Sequence, residues 1–92
     1  MREVIVVEKA VIIKNKQGLH ARPAALFVQI ANKYSSTVTV RKGSEEVNGK
    51  SIMGILMLGA EKDSVIIIEA DGEDAQAALE ELEKIIANEE DR

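Results

Sequence analysis

The run Ser64-Val65-Ile66-Ile67-Ile68-Glu69-Ala70 narrows the folds open to this chain more than any other segment. It is almost wholly apolar and dense in β-branched residues, which pack well on a pleated surface and are stiff in a helix. Such a run reads as a buried, central strand. The chain that must cover it has 92 residues, enough for one domain spanning residues 1–92. A domain of that size buries only about two thirds of its unfolded surface, so its core must be efficient. With one Phe, one Tyr and no Trp, that core must also be aliphatic.

Around the central run the periodicity alternates. Val4 to Val7 and Ala10 to Ile13 read as strand, with Glu8-Lys9 between them as a bulge or register marker. Asn15 to Gly18 is a polar loop. Ala21 to Lys33 reads as helix: Pro23 fits a first turn, where its missing N–H has no intrahelical partner to lose, and Ala24, Phe27, Val28, Ile30 and Ala31 form a stripe at helical spacing. Thr37 to Arg41 alternates strictly, which turns Val38 and Val40 toward a core. Lys42-Gly43-Ser44 suits a hairpin turn and Glu45 to Val47 a short return strand.

Ser51 is a good N-cap and Gly59 a good C′ residue, so they frame a two-turn helix even though Gly54 costs about 1 kcal/mol of propensity. Ile52, Met53, Leu56 and Met57 cannot all point inward on so short a helix. Leu56 and Leu58 are expected inside, and Ile52 and Met53 outside. Asp71 with Asp74 resembles an N-terminal cap for the last helix, whose stripe is Ala75, Ala78, Leu79, Leu82, Ile85 and Ile86. The order βαββαβα, with one apolar and one polar sheet face, predicts an α+β, two-layer sandwich.

Composition removes several function classes. The formal net charge of −4 argues against a nucleic-acid partner, which calls for a basic face. Without cysteine, disulfides, thiolate catalysis and cysteine metal sites are excluded. With a single histidine, no typical zinc set can form, and no metal or cofactor is expected. The apolar runs fall far short of the ~20 residues of a membrane span, and the N-terminal residues lack a signal-peptide pattern. A cytoplasmic, monomeric domain with no membrane insertion is the expectation. Richness in Glu, Lys, Ile and Val would suit a heat-adapted protein.

The chemistry concentrates in Gly18-Leu19-His20-Ala21-Arg22-Pro23-Ala24. A lone histidine before a helix is most often an ordinary surface residue. Here, however, it stands at a helix start, where backbone N–H groups lack intrahelical acceptors and the dipole favours an anion. Arg22 could reach the same anion with its planar fork. An imidazole with its ordinary pKa of about 6.5 is neutral and nucleophilic near neutral pH. Gly18 would let the backbone turn so that the ring faces outward. The arrangement suits a transient berth for a phosphoryl group. Gly49-Lys50-Ser51 resembles the end of a GxxxxGK(S/T) loop, but position 44 is Ser rather than Gly, so the pattern fails. A hydrolase built on His20 would lack a second catalytic group.

Asn15-Lys16-Gln17-Gly18-Leu19-His20-Ala21-Arg22-Pro23-Ala24, followed by Val47-Asn48-Gly49-Lys50-Ser51-Ile52-Met53-Gly54, closely resembles the HPr family. These are the histidine-containing phosphocarriers of the bacterial phosphoenolpyruvate-dependent sugar phosphotransferase system. The likeness runs from about Val7 to Asn88. It implies an open-faced sandwich with a four-stranded antiparallel sheet and three helices on one face. It implies that His20 accepts a phosphoryl group on its δ1 nitrogen from phosphorylated enzyme I and passes it to the histidine of an enzyme IIA domain. Arg22 would steady the group in both transfers.

The resemblance also singles out Ser51, which matches a serine phosphorylated in the Gram-positive branch by an ATP-dependent HPr kinase/phosphorylase. That form slows phosphorylation at the histidine and binds a catabolite-control transcription factor. On chemistry alone, Ser51 reads equally as a plain N-cap. Gln17, Ala21 and Ala24 beside the histidine, and Lys50, Ile52, Met53 and Met57 downstream, are the expected partner-contacting residues, with flexible Met suited to unlike partners. Two departures stand out: about five extra residues at the start, which would lengthen the first strand, and Gln17 where the family often has a shorter Asn or Ser. A regulator working mainly through phosphorylated Ser51 is the competing reading.

Overall fold

In the computed structural model residues 5–88 are described. They form β1 (Val6–Ile12), α1 (Ala21–Ala31), β2 (Thr37–Lys42), β3 (Glu45–Asn48), α2 (Ile52–Leu58), β4 (Val65–Asp71) and α3 (Ala75–Ala87). The four strands make one antiparallel sheet in the order β1-β4-β2-β3. The apolar run of the opening argument is thus a central strand, flanked by β1 and β2. The three helices lie on one face, giving the open-faced βαββαβα sandwich expected from the sequence.

The core is aliphatic apart from Phe27. Val38 and Val40 of β2, Ile66 and Ile68 of β4, and Ala24, Phe27 and Ala31 of α1 are all buried with Leu82 and Ile86 of α3. Burying each larger side chain contributes roughly 1.5–3 kcal/mol. Ser51 and Gly59 frame α2 as expected. The Ser51 Oγ accepts from Gly54 N at 3.1 Å, and Gly59 adopts the left-handed conformation, φ 61°.

Four local expectations need correction. Glu8-Lys9 makes no bulge: the register runs unbroken from Val6 opposite Asp71 to Ile12 opposite Val65. Both charges are accommodated without a break, because successive residues point to opposite faces. Glu8 meets Arg41 at 2.8 Å on the open face, and Lys9 meets Glu83 of α3 at 2.8 Å on the other. Val4, the start of the expected first strand, lies outside the described residues.

Helix α1 stops at Ala31 rather than Lys33, because tighter bonds close its end: Lys33 N donates to Ile30 O and Tyr34 N to Ala31 O. Leu56 is 40% exposed, whereas Ile55 is fully buried with Leu58. Asp74 stands at the N-cap of α3 but makes no cap bond. Its carboxylate instead accepts from the amides of Ser35 (2.9 Å) and Ser36 (3.0 Å) and from both hydroxyls. These bonds, led by the Ser36 hydroxyl, hold its pKa down to about 2.

Candidate phosphorylation site

The loop that presents His20 is built from Asn15 onward. Asn15 is buried; its Oδ1 accepts from Gln17 N at 3.1 Å and its carbonyl from Gly18 N at 3.0 Å. Gly18 then turns with φ 69°, and a Cβ there would stand 2.7 Å from Ala60 O and 2.9 Å from Glu61 Cα. Only glycine allows both that dihedral and that approach. Leu19 follows, fully buried, with its amide donating to Ala60 O at 2.8 Å. The loop is therefore fastened to the segment just beyond α2 immediately before the histidine.

His20 is the N-cap residue of α1, in extended conformation, half-exposed, and its side chain makes no cap bond. Ala21 comes next with φ 48°, in the left-handed region. An alanine held there costs about 1–2 kcal/mol, so the backbone is strained at the residue adjoining the imidazole. The first turn holds no acidic residue. Pro23 has no N–H to offer, and Ala24 N reaches His20 O only at 3.4 Å. The Ala21 and Arg22 amides stand where helical N–H groups have no intrahelical acceptor. Arg22 is exposed beside them. His20 and the exposed Arg22 thus both stand at the head of α1, a surface that can receive an anion without a deep pocket.

Most of the other expected site residues lie on or beside α2. This helix runs back along α1. Asn32, just past α1, donates from Nδ2 to Lys50 O at 3.1 Å, while Leu19, just before it, bonds to Ala60 past the end of α2. Ser51 and the His20 loop therefore sit at opposite ends of α2, whose 7 residues span roughly 10 Å. Between them Ile52, Met53, Leu56 and Met57 are exposed at 40%, 65%, 40% and 74%. The outward position of Ile52, Met53 and Met57 matches the expectation, and Leu56 joins them. Gln17 and Ala21 are exposed, while Ala24 is fully buried in the core and offers no surface to a partner.

Lys50 is half-buried, and its ammonium donates to Tyr34 O at 2.7 Å, so it anchors the loop before Ser51 to the end of α1. Neither this tie nor the strain at Ala21 has a local signature: Lys50 reaches back across 16 residues, and alanine is the residue least suggestive of strain. Among the described residues no cluster of His, Asp and Glu could hold a metal ion, and no helix is long and apolar enough to cross a membrane.

Residues 7–88 match the PTS-HPr family, described as the PTS HPr component phosphorylation site. The HPr-like protein Crh of Halalkalibacterium halodurans is 47% identical, across 90% of this chain and 99% of that protein. The crystal structure of phosphocarrier protein HPr from Bacillus anthracis str. Ames is 46% identical, covers 88% of this chain and 96% of its own, and superposes with a TM-score of 0.86. A crystal structure of an HPr dimer from Thermoanaerobacter tengcongensis is 50% identical over 89% of this chain and 88% of its own, with a TM-score of 0.66. By sequence match and by fold, this chain belongs to the HPr family of phosphotransferase-system phosphocarrier proteins.

Proposed function

We propose that this chain takes a phosphoryl group onto the Nδ1 of His20 from phosphorylated enzyme I, ultimately from phosphoenolpyruvate, and passes it to the histidine of an enzyme IIA domain of a sugar permease. The observation that carries this reading is the half-exposed imidazole at the head of α1, beside Arg22 and with no acid in the first turn. The ring nitrogen attacks phosphorus, the bond to the donor histidine breaks, and its electron pair returns to the donor. The reverse geometry releases the group to the acceptor. Arg22 and the first-turn amides would meet the charge on the phosphoryl oxygens. An open surface stabilises the group only modestly, so it stays transferable. The chain acts as a carrier between partners in the cytoplasm and does not turn over alone.

Partners would dock on the exposed side of α2, where Ile52, Met53, Leu56 and Met57 meet solvent. Ser51 carries a second, regulatory reading. As N-cap of α2 it sits at the far end of that docking surface from His20. A phosphate there adds about −1.5 to −2 charge without requiring a new fold. It would alter docking at one end of the surface while transfer happens at the other, and offer a handle to a catabolite-control transcription factor. An HPr kinase/phosphorylase would install it.

The test is a reconstituted relay: labelled phosphoenolpyruvate, enzyme I, this chain and an enzyme IIA domain. Label should reach enzyme IIA only when the chain is present, and His20→Ala should abolish transfer. Label reaching enzyme IIA through His20→Ala would overturn the relay. Incorporation from ATP that disappears in Ser51→Ala, with no transfer through His20, would leave only the regulatory reading.

A further inference from the structure

Among the described residues seven large apolar side chains are exposed, and four of them belong to α2. The other three are Val6 (49%), Ile12 (46%) and Val65 (52%). All three lie on the open face of the sheet. Val11, Val38, Val40, Ile66 and Ile68 are buried against the helices, so the residues alternating with them make that face. Exposed apolar surface outside the α2 patch is thus gathered in one place, as at an interaction site.

The register fixes the neighbours. Ile12 stands opposite Val65 and Ala10 opposite Ile67, so these four form one apolar corner where β1 ends and β4 begins. Toward the other end the face turns acidic. Glu8 stands opposite Glu69, and Asp71 lies between Val6 and Thr37. Glu46 flanks them from β3, opposite Arg41.

Within the strands one cation shares this face with the four carboxylates. Arg41 donates to Glu69 at 2.9 Å and to Glu8 at 2.8 Å. It is turned away from Glu46, its cross-strand neighbour, and among the described residues neither Glu46 nor Asp71 meets a cation. The other strand lysines lie on the helix side, Lys9 bonded to Glu83 and Lys42 to Gly59 O at 3.4 Å. Lys14, the next cation along, follows β1 beyond the apolar corner.

We propose that this face is a second docking surface, and that its partner is a protein presenting an amphipathic helix, apolar toward one end and carrying Lys and Arg toward the other. Apolar side chains of that helix cover Ile12, Val65 and Ile67. Its cations meet Asp71, Glu46 and the acids around Arg41, an arrangement that sets orientation and selects against acidic partners. A helix suits the face because strand N–H and C=O groups point along the sheet, not out of it. An extended segment laid there would leave its own backbone unpaired, whereas a helix satisfies most of its own groups. From Val6 to Ile12 the face runs about 20 Å, the length of about 13 helical residues. Charge fixes the direction: the basic end lies over Asp71, away from Lys14. The surface is on the side of the sheet opposite the helices and uses no residue of the His20 loop or of α2, so both surfaces can be occupied at once.

The experiment titrates the full, isotopically labelled chain with a helical peptide of about 13 residues, leucines along one side and lysines gathered at its C-terminal end. A control peptide carries glutamates in place of the lysines. Backbone amide shifts read where each binds. The lysine peptide should shift residues of β1, β2 and β4 rather than α2, and its affinity should fall about tenfold between low salt and about 0.5 M. The glutamate peptide should bind at least about tenfold more weakly. Asp71→Lys and Val65→Lys should each weaken the lysine peptide about threefold or more. Glu46→Lys, on the exposed edge strand, should do the same and keeps the test open if either of those variants fails to fold. No binding of the lysine peptide, binding on α2 instead, or equal binding of the two peptides would overturn the proposal. So would a doubled mass on concentrating the chain alone with the same open-face residues shifted, since a second copy would then be the occupant.

Discussion

The amide of Leu19 donates to the carbonyl of Ala60 at 2.8 Å, and through that bond the end of α2 holds the loop that presents His20. The same carbonyl oxygen lies 2.7 Å from where a Cβ on Gly18 would stand. The loop is thus positioned by a close backbone approach as well as by the buried side chains of Asn15 and Leu19.

Gly18→Ala should therefore destabilise the domain by about 1–3 kcal/mol, since it combines an unfavourable dihedral with a backbone clash. In a domain of this size each kcal/mol lowers Tm by about 4–8 °C. Thermal unfolding checks the size, and the transfer rate at a temperature where both proteins are folded should fall as well. A Tm equal to that of the parent would contradict the geometry of the loop.

Arg22 is exposed in the first turn, so its loss should leave stability within about 0.5 kcal/mol. A charge-assisted hydrogen bond to the phosphoryl oxygens contributes about 1.5–3 kcal/mol, so Arg22→Ala should slow transfer about 10- to 100-fold. Arg22→Lys should recover part of this, keeping the charge but losing the fork. Rapid-quench transfer from phosphorylated enzyme I measures both.

The two faces of α2 should separate cleanly. Ile55 is fully buried, so Ile55→Ala should cost about 2–5 kcal/mol of stability. Leu56 and Met57 are exposed, so Leu56→Ala and Met57→Ala should barely change the unfolding midpoint in urea while raising the KM for the chain with enzyme I. Equal destabilisation by Ile55→Ala and Leu56→Ala would contradict the assigned orientation of the helix.

Asp74 gives a pH signature. Its carboxyl titrates at about 2 in the folded chain, held there by Ser36 and Ser35, against about 3.9 when unfolded. A depressed folded pKa stabilises the fold above the unfolded value and is lost as pH falls through the folded one. Asp74→Ala should therefore lower stability at neutral pH, and the difference from the parent should shrink between about pH 4 and 2. Urea unfolding at several pH values reads this directly.

Much of this was legible in the chain itself. Val38 and Val40 alternate with threonines, and Ser51 and Gly59 bracket their helix, so local chemistry and tertiary structure agree there. Where the reading failed, a tertiary partner or a surface role had intervened. Asp74 has the chemistry of an N-cap, yet its acceptors are claimed by Ser35 and Ser36, 39 and 38 residues away. Leu56 looks like core because α2 is apolar on both sides, and hydrophobicity cannot say which side faces the protein. Glu8-Lys9 looks like an interruption because the ion partners of both residues lie on other elements. At the candidate site, His20 and Arg22 stand out by their position at the start of a helix. The strain at Ala21 does not, since it arises from how the loop meets the helix rather than from the residue.

The most direct measurement is intact-mass and peptide-level mass spectrometry of the chain after exposure to phosphoenolpyruvate and enzyme I. The account predicts an added mass of one phosphoryl group, lost on acid treatment as a phosphoramidate is, localised to His20 and absent from His20→Ala. The same adduct on His20→Ala, or none on the parent chain with active enzyme I, would contradict it.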